Sequence, residues 1–567
     1  MKYIARLFPI LFLPYCINNP ANAQLFGQQG KFTRQDTLRG SITPERAWWN
    51  VVSYNIYITP DYKTKTIKGL NQIGFDVTAD GKNKKMQIDL QQPLTIDSII
   101  FNKKNIKTFK RNGNVYLIDF GSLNFIAAKT SLQRNKPALL YQVKIYYHGK
   151  PREAINPPWD GGWIFTRDDK DRPWMTVACQ GLGASVWYPC KDHQSDEPDL
   201  GASIQVKIPD TLVAVANGRL IEKNYLGDGT VLYKWEVKNP INNYDIVPYI
   251  GKYVNFTDTL NGEKGKLDLS YWVLDYDLEK AKKQFGRDVK RTLKAFEYWF
   301  GPYPFYEDGY KLVESSHLGM EHQSATAYGN HYLNGYLGMD LSGSGWGLKW
   351  DYIIIHESSH EWFGNNITTN DIADMWVHEG FGMYAEALFT EYYYGKKAAD
   401  EYIQGVRLDI GNLKPIIGQY GVNQEGSGDM YNKGANILHT IRQVINDDSV
   451  FRKILRGLNK DFYHQTIDSK DVEAYFSKQS GKDLSKIFDQ YLRGTKIPML
   501  EYKTEGDKFS YHWTNCIPGF DMPVRLEGSS DWLHPTAEWK NAPMTSEMKA
   551  RGLLVDKNFY VTVKKSG

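Results

Sequence analysis

The spacing of apolar residues changes period twice along this chain, and that change restricts the folds open to it. From Trp48 to about Thr257, segments such as Val52-Ser-Tyr-Asn-Ile-Tyr-Ile58, Tyr141-Gln-Val-Lys-Ile-Tyr-Tyr147 and Ser203-Ile-Gln-Val-Lys-Ile208 alternate apolar with polar residues. Turns such as Asp80-Gly81 and Asn112-Gly113 separate them. Alternation of this kind gives a strand one buried face, so a mostly antiparallel β domain is expected. After Lys266 the period lengthens. Leu278, Ala281, Phe285, Val289, Leu293 and Phe296 recur at helical spacing until Gly301-Pro302, and further helices are expected at about 348–364, 375–394, 431–446 and 448–462. A strand at Lys311 to Glu314 makes this region α+β. From Pro498 onward short alternating segments return, including Leu500-Glu-Tyr-Lys503 and Phe559-Tyr-Val-Thr-Val563. The expected division is a β domain over 24–257, a mainly helical α+β domain over 258–496 and a small β domain over 497–567.

The N-terminus reads as an export signal. Lys2 and Arg6 precede the apolar run Leu7 to Ile17, and Ala21-Asn22-Ala23 has the small-x-small form of a cleavage site, so residues 1–23 are expected to be removed. A periplasmic or secreted protein follows; a lipoprotein anchored at Cys16 is disfavoured because Pro14-Tyr15 lacks the small residues of such a site. No later run approaches the ~18 apolar residues of a membrane span. Of 567 residues, 69 are Lys or Arg and 65 Asp or Glu. That net charge of +4, scattered without a basic stripe, argues against a nucleic-acid partner. Cys179, Cys190 and Cys516 remain after cleavage, an odd number that cannot form a disulfide framework. Cys179 and Cys190 could pair across a turn, but buried free thiols are expected.

Chemistry concentrates at His356-Glu357-Ser358-Ser359-His360. On a helix, positions i and i+4 lie about 40° apart, so the two imidazoles project from one face and can share a metal ion while Glu357 faces the adjoining water. A catalytic zinc takes three protein ligands and keeps a fourth position for water. Glu379 fits the third place, because a polar turn at Gly364 to Asp371 allows a second, antiparallel helix to bring it back to the histidine pair. The alternative, that these are ordinary helix histidines and solvated carboxylates, requires four coincidences of position.

The stretch His356-Glu-Ser-Ser-His-Glu-Trp-Phe-Gly-Asn365 followed by Trp376-Val-His-Glu-Gly-Phe381 resembles the zinc core of the aminopeptidase-N-type gluzincins, which include the leukotriene hydrolase. The resemblance extends over nearly all of the chain after the signal. Asn50 to Gly69 and Leu94 to Ile99 look like parts of that family's N-terminal saddle domain, Asn242 to Phe256 like its closing strands, and Gly301-Pro-Tyr-Pro-Phe305 like the start of its thermolysin-like catalytic domain. Leu318-Gly-Met-Glu-His322 stands where the family has G-x-M-E-N, which implies that Glu321 binds the substrate α-amine beside Gly319 and Met320. Leu318 and His322 depart from that pattern, which leaves the amine anchor in place and the shape of the first side-chain pocket open. Tyr431 in Met430-Tyr-Asn-Lys-Gly434 matches the family's oxyanion tyrosine, and Gln180 a second amine contact. Asp374 is open between orienting a ligand histidine and complementing a helix N-terminus.

The resemblance implies a zinc aminopeptidase with one Zn2+ on His356, His360 and Glu379, Glu357 as general base and Tyr431 at the oxyanion. Its partners are peptides with a free N-terminus. A zinc endopeptidase would not need Glu321, a peptide-binding relative without turnover would not need Glu357 or Tyr431, and nothing favours an epoxide hydrolase. The 71 residues expected after 496 leave no room for the helical C-terminal superhelix found in many relatives, so a more open entrance is expected.

Overall fold

The structure is a computed structural model that describes residues 32–78, 80–82, 84–127, 141–506, 508–528, 531–544, 548–549 and 552–566. The expected export segment, with Cys16, lies outside the described residues. Helix α1 (Arg34–Gly40) opens them: Thr33 caps it, taking the Asp36 N–H on its hydroxyl while its own N–H donates to the Asp36 carboxylate.

The alternating region forms an eight-stranded sheet. Trp49–Asp61 pairs antiparallel with Thr66–Val77 and parallel with Ala202–Pro209. Tyr54, Ile56 and Ile58 point inward while Asn55 is exposed, as the period requires. A four-stranded sheet includes Pro173–Ala178, which ends two residues before Gln180. Both sheets bury side chains in one core that includes Trp49, Trp163, Trp187 and Trp235. Cys179 and Cys190 are buried free thiols in it.

Tyr253–Gly262 lies across the boundary expected at 257 and belongs to neither of these sheets. It pairs with Gly265–Leu274, which runs parallel to Tyr310–Glu314 in a five-stranded sheet of the helical region. Alternation shows that a strand has a buried face but not which sheet it joins. The helices are α2 (Leu278–Phe300), α3 (Tyr352–Ser359), α4 (Trp376–Tyr394), α5 (Lys396–Val406), α6 (Asn432–Ile445), α7 (Asp448–Asp461), α8 (Ser469–Ser480) and α9 (Ser485–Leu492). Of these, α5, α8 and α9 were not expected from the sequence. Helix α3 is shorter than the expected 348–364. Asp351 caps its start by accepting from Ile354 N–H at 3.4 Å, and the chain turns after His360 at Gly364, where φ is +133°.

Beyond 497 a four-stranded sheet returns, with Met499–Glu505 beside Lys508–Thr514. Its inward residues Leu500, Tyr502 and Phe509 join the helical core. The other seam is chemically more important. Val313, Met320, Ala325 and Ala327 pack into the N-terminal core instead of the helical one, so the strand Gly319–Met320 is held between the two halves of the molecule. None of the described helices is long and apolar enough to cross a membrane.

Candidate active site

Helix α3 carries His356 and Glu357, and His360 closes its last turn. Helix α4 packs against α3 and brings Glu379 to them, as the spacing predicts. The three ligand atoms form a near-equilateral triangle: Nε2 to Nε2 is 3.4 Å, and Glu379 Oε2 lies 3.6 Å from His356 Nε2 and 3.5 Å from His360 Nε2. Bonds of about 2.0–2.1 Å in tetrahedral geometry give edges close to these. Glu379 Oε2 is buried without a hydrogen-bond partner, an arrangement costly in the absence of a cation.

The far nitrogens fix both imidazoles in the tautomer a metal needs. His360 Nδ1 donates to the Phe363 carbonyl at 3.0 Å and His356 Nδ1 to Glu386 Oε1 at 2.7 Å, which leaves the Nε2 lone pairs facing the triangle. Glu386 in turn accepts from the Tyr402 hydroxyl at 2.5 Å. The sequence reading missed Glu386. Its signal was available: it follows Glu379 by seven residues, two helical turns, so both carboxylates project from one face of α4.

Glu357 is 8% exposed, and burial pushes its carboxyl up to about 7, a value suited to both accepting and returning a proton near neutrality. Gly319 lies directly over it. A Cβ there would stand 2.7 Å from Glu357 Oε1 and 2.8 Å from Ile353, so only glycine leaves room. Glu321 follows on the same strand edge. Its Oε1 accepts from Gln180 Nε2 at 2.5 Å and from the Tyr244 hydroxyl at 3.0 Å, so the N-terminal half supplies both partners. Asn365 holds the backbone by donating to the Glu321 carbonyl at 2.8 Å. Burial, reinforced by the nearby Glu379 and Glu357, raises the Glu321 pKa well above the carboxylate range, so the site favours an incoming positive charge. Tyr431 stacks near His356, with ring centroids 6.1 Å apart, and lines the same cavity as Gln180, Met320 and Glu321.

Residues 287–491 match the Peptidase family M1 domain and residues 50–244 the Peptidase M1 N-terminal domain. The chain belongs to peptidase family M1. Its M1 relatives include Aminopeptidase M1 of Arabidopsis thaliana, 24% identical over 61% of this chain and 39% of the relative, and Aminopeptidase B of Mus musculus, 24% identical over 57% and 50%. The chain thus spans half or less of the length of these two relatives. The M1 zinc metallopeptidase of Deinococcus radiodurans has the same fold, with a TM-score of 0.64 at 18% identity over 80% of this chain and 95% of that one. Family membership implies zinc, and the donor set fits it.

Two points that the sequence leaves open are decided in this M1 site. Asp374 orients no histidine: it accepts from the Tyr420 hydroxyl at 2.6 Å and from Ser469 N–H, at the start of α8, at 2.9 Å. Glu386 takes the orienting place. Of the two departures from the M1 pattern, Leu318 lines the cavity, whereas His322 is wholly buried with Nδ1 against the Tyr249 hydroxyl at 2.6 Å. The glycines of the two site motifs also have a physical reason. Helices α4 and α6 cross at Gly380 and Gly434, where a Cβ on Gly434 would lie 2.8 Å from the Gly380 Cα. That close crossing sets the distance between Glu379, next to Gly380, and Tyr431, three residues before Gly434.

Proposed function

We propose that the chain is a zinc-dependent aminopeptidase that removes N-terminal residues from peptides, with one zinc ion on His356, His360 and Glu379. The observation that carries this reading is Glu321: a buried carboxylate, held by Gln180 and Tyr244, whose oxygen falls within 4.8 Å of the Glu357 and His360 donor atoms. A substrate ammonium paired there sits one residue from the bond facing Glu357. An endopeptidase would have to leave this charge unpaired beneath a continuous chain.

Zinc in the triangle supplies Lewis-acid polarisation and a water of lowered pKa. Glu357 takes the proton of the attacking water and passes it to the leaving nitrogen. Tyr431 donates to the developing oxyanion, a contribution of about 3 kcal/mol in comparable donors. Gln180 donates to Glu321 and leaves its own carbonyl to accept from the ammonium.

The test compares aminoacyl amides with their N-acetylated counterparts, using wild type and Glu357→Gln at equal zinc occupancy. Cleavage of free amines alone, lost by at least about a hundredfold in the variant, supports the reading. Equal cleavage of blocked substrates overturns it in favour of an endopeptidase, and no cleavage by the zinc-loaded wild type favours a binding protein. Export by residues 1–23 belongs to the same proposal. Expression in a Gram-negative host, fractionation and N-terminal sequencing are expected to give a periplasmic or secreted chain starting at Gln24.

A further inference from the structure

The cavity has a direction. Glu321 and Gln180 occupy the side next to His360. On the other side Tyr352 stacks on His356 at 5.3 Å, and Tyr336 meets Tyr352 edge-on at 5.3 Å. A peptide with its amine at Glu321 and its scissile carbonyl at the triangle therefore leaves on the Tyr352 side, past Tyr336, in a cavity that Leu341, Val406 and Asp409 also line.

Exposed apolar side chains surround this exit. Leu408 is 85% exposed and Leu413 80%; with Ile155, these are the three most exposed large apolar side chains among the described residues. Leu408 sits between the lining residues Val406 and Asp409. Leu413 is two residues from Gly411, whose N–H donates at 2.8 Å to Asp429, the neighbour of the lining Gly428. Leu337 and Met339, 38% and 44% exposed, lie on the loop between Tyr336 and Leu341. That loop touches the end of α5, where the Gly405 Cα faces the Ser342 carbonyl so closely that any Cβ would collide with it. Both sets therefore border one opening. Scattered exposed leucines need no explanation, but a cluster continuous with a cleft marks a place where apolar surface is covered during function.

We propose that this rim is an extended subsite on the leaving-group side, and that the favoured substrates are oligopeptides with apolar side chains beyond the cleaved bond. The inference rests on the aminopeptidase reading. Its occupant follows from continuity: the rim prolongs the wall over which the leaving part of a substrate must pass, about 3.3 Å per residue in extended form. Bound there, an apolar tail covers Leu408 and Leu413 and removes its own side chains from water.

The experiment uses the zinc-loaded full chain with three substrates: alanine amide, a hexapeptide Ala-Ala-Leu-Phe-Leu-Leu and a hexapeptide Ala-Ala-Ser-Gly-Ser-Ser. Wild type is expected to show kcat/KM about tenfold higher for the apolar than for the polar hexapeptide. Leu408→Ser with Leu413→Ser is expected to reduce that ratio to about twofold, with alanine amide cleaved at the wild-type rate. Ile155→Ser, at a side chain as exposed as these two leucines but not among the residues lining the cavity, is expected to leave the ratio unchanged. Equal cleavage of the two hexapeptides by wild type, or a ratio unaltered in the double variant, overturns the subsite alone. Cleavage of none of the three substrates overturns the aminopeptidase reading and the subsite with it. A double variant that shifts from dimer to monomer by sedimentation while keeping the tail preference overturns the subsite and assigns the rim to self-association.

Discussion

The His356 imidazole hydrogen-bonds through Nδ1 to Glu386 Oε1 at 2.7 Å, and Glu386 is fully buried. With its second oxygen taken by Tyr402, the carboxylate cannot turn away, so it holds the ring with Nε2 toward Glu379 and His360. A carboxylate in this place also raises the basicity of the ligand nitrogen. Glu386→Gln keeps the shape and removes the charge. Zinc affinity, measured by competition with a chromogenic chelator, is expected to fall about 10–100-fold, while Asp374→Asn is expected to leave it unchanged.

These two carboxylates show where a sequence can and cannot be read. His356, His360 and Glu379 lie on or at the end of two consecutive helices, joined by the segment 360–375 that carries the short strand Ile367–Thr369, so helical periodicity with a reversal between the helices was enough to group them. Asp374 accepts from Ser469, and that contact crosses 95 positions that no local spacing encodes. The same limit separates Glu321, named by its motif, from Tyr244, which shares its oxygen across 77 positions. The strand at 253–262 marks the limit for the fold. Its alternation was legible, and its sheet partner was set by where Gly265–Leu274 meets Tyr310.

The crossing at Gly380 and Gly434 makes a prediction about both stability and rate. Gly434→Ala places a methyl group 2.8 Å from the Gly380 Cα, and backbone cannot yield as a flexible side chain would. The helices must separate, moving Tyr431 from the triangle. A loss of about 1–3 kcal/mol is expected in urea unfolding, together with a fall in kcat that exceeds any change in KM.

Arg39 ties α1 to the turn that carries Gln180. Its guanidinium donates to the carbonyls of Gly181, at 2.8 Å, and Leu182, while Asn423 N–H donates at 3.0 Å to Asp36 on the same helix. Helix α1 thus braces Gln180 against the loop leading to Tyr431. Arg39→Ala is expected to raise KM for free-amine substrates about tenfold with kcat nearly unchanged, and Arg39→Lys to restore part of it, by steady-state kinetics on alanine amides.

Asp351 links stability to pH. It caps α3 and accepts from the Tyr328 hydroxyl at 2.7 Å, Gln284 at 2.7 Å and Asn330 at 2.8 Å. Burial nevertheless outweighs these donors and pushes its carboxyl up to about 7, from an ordinary value of 3.8. Between those two values the folded state holds a proton that the unfolded chain has released. Stability from this group is therefore complete below pH 3.8 and is lost as pH rises through 7. Asn at this position cannot titrate and can still cap the helix through its side-chain oxygen. Melting temperatures of chelator-treated protein between pH 5 and pH 8 are expected to fall less steeply in Asp351→Asn than in wild type. Parallel curves would show that Asp351 is already ionised in the folded protein at pH 5.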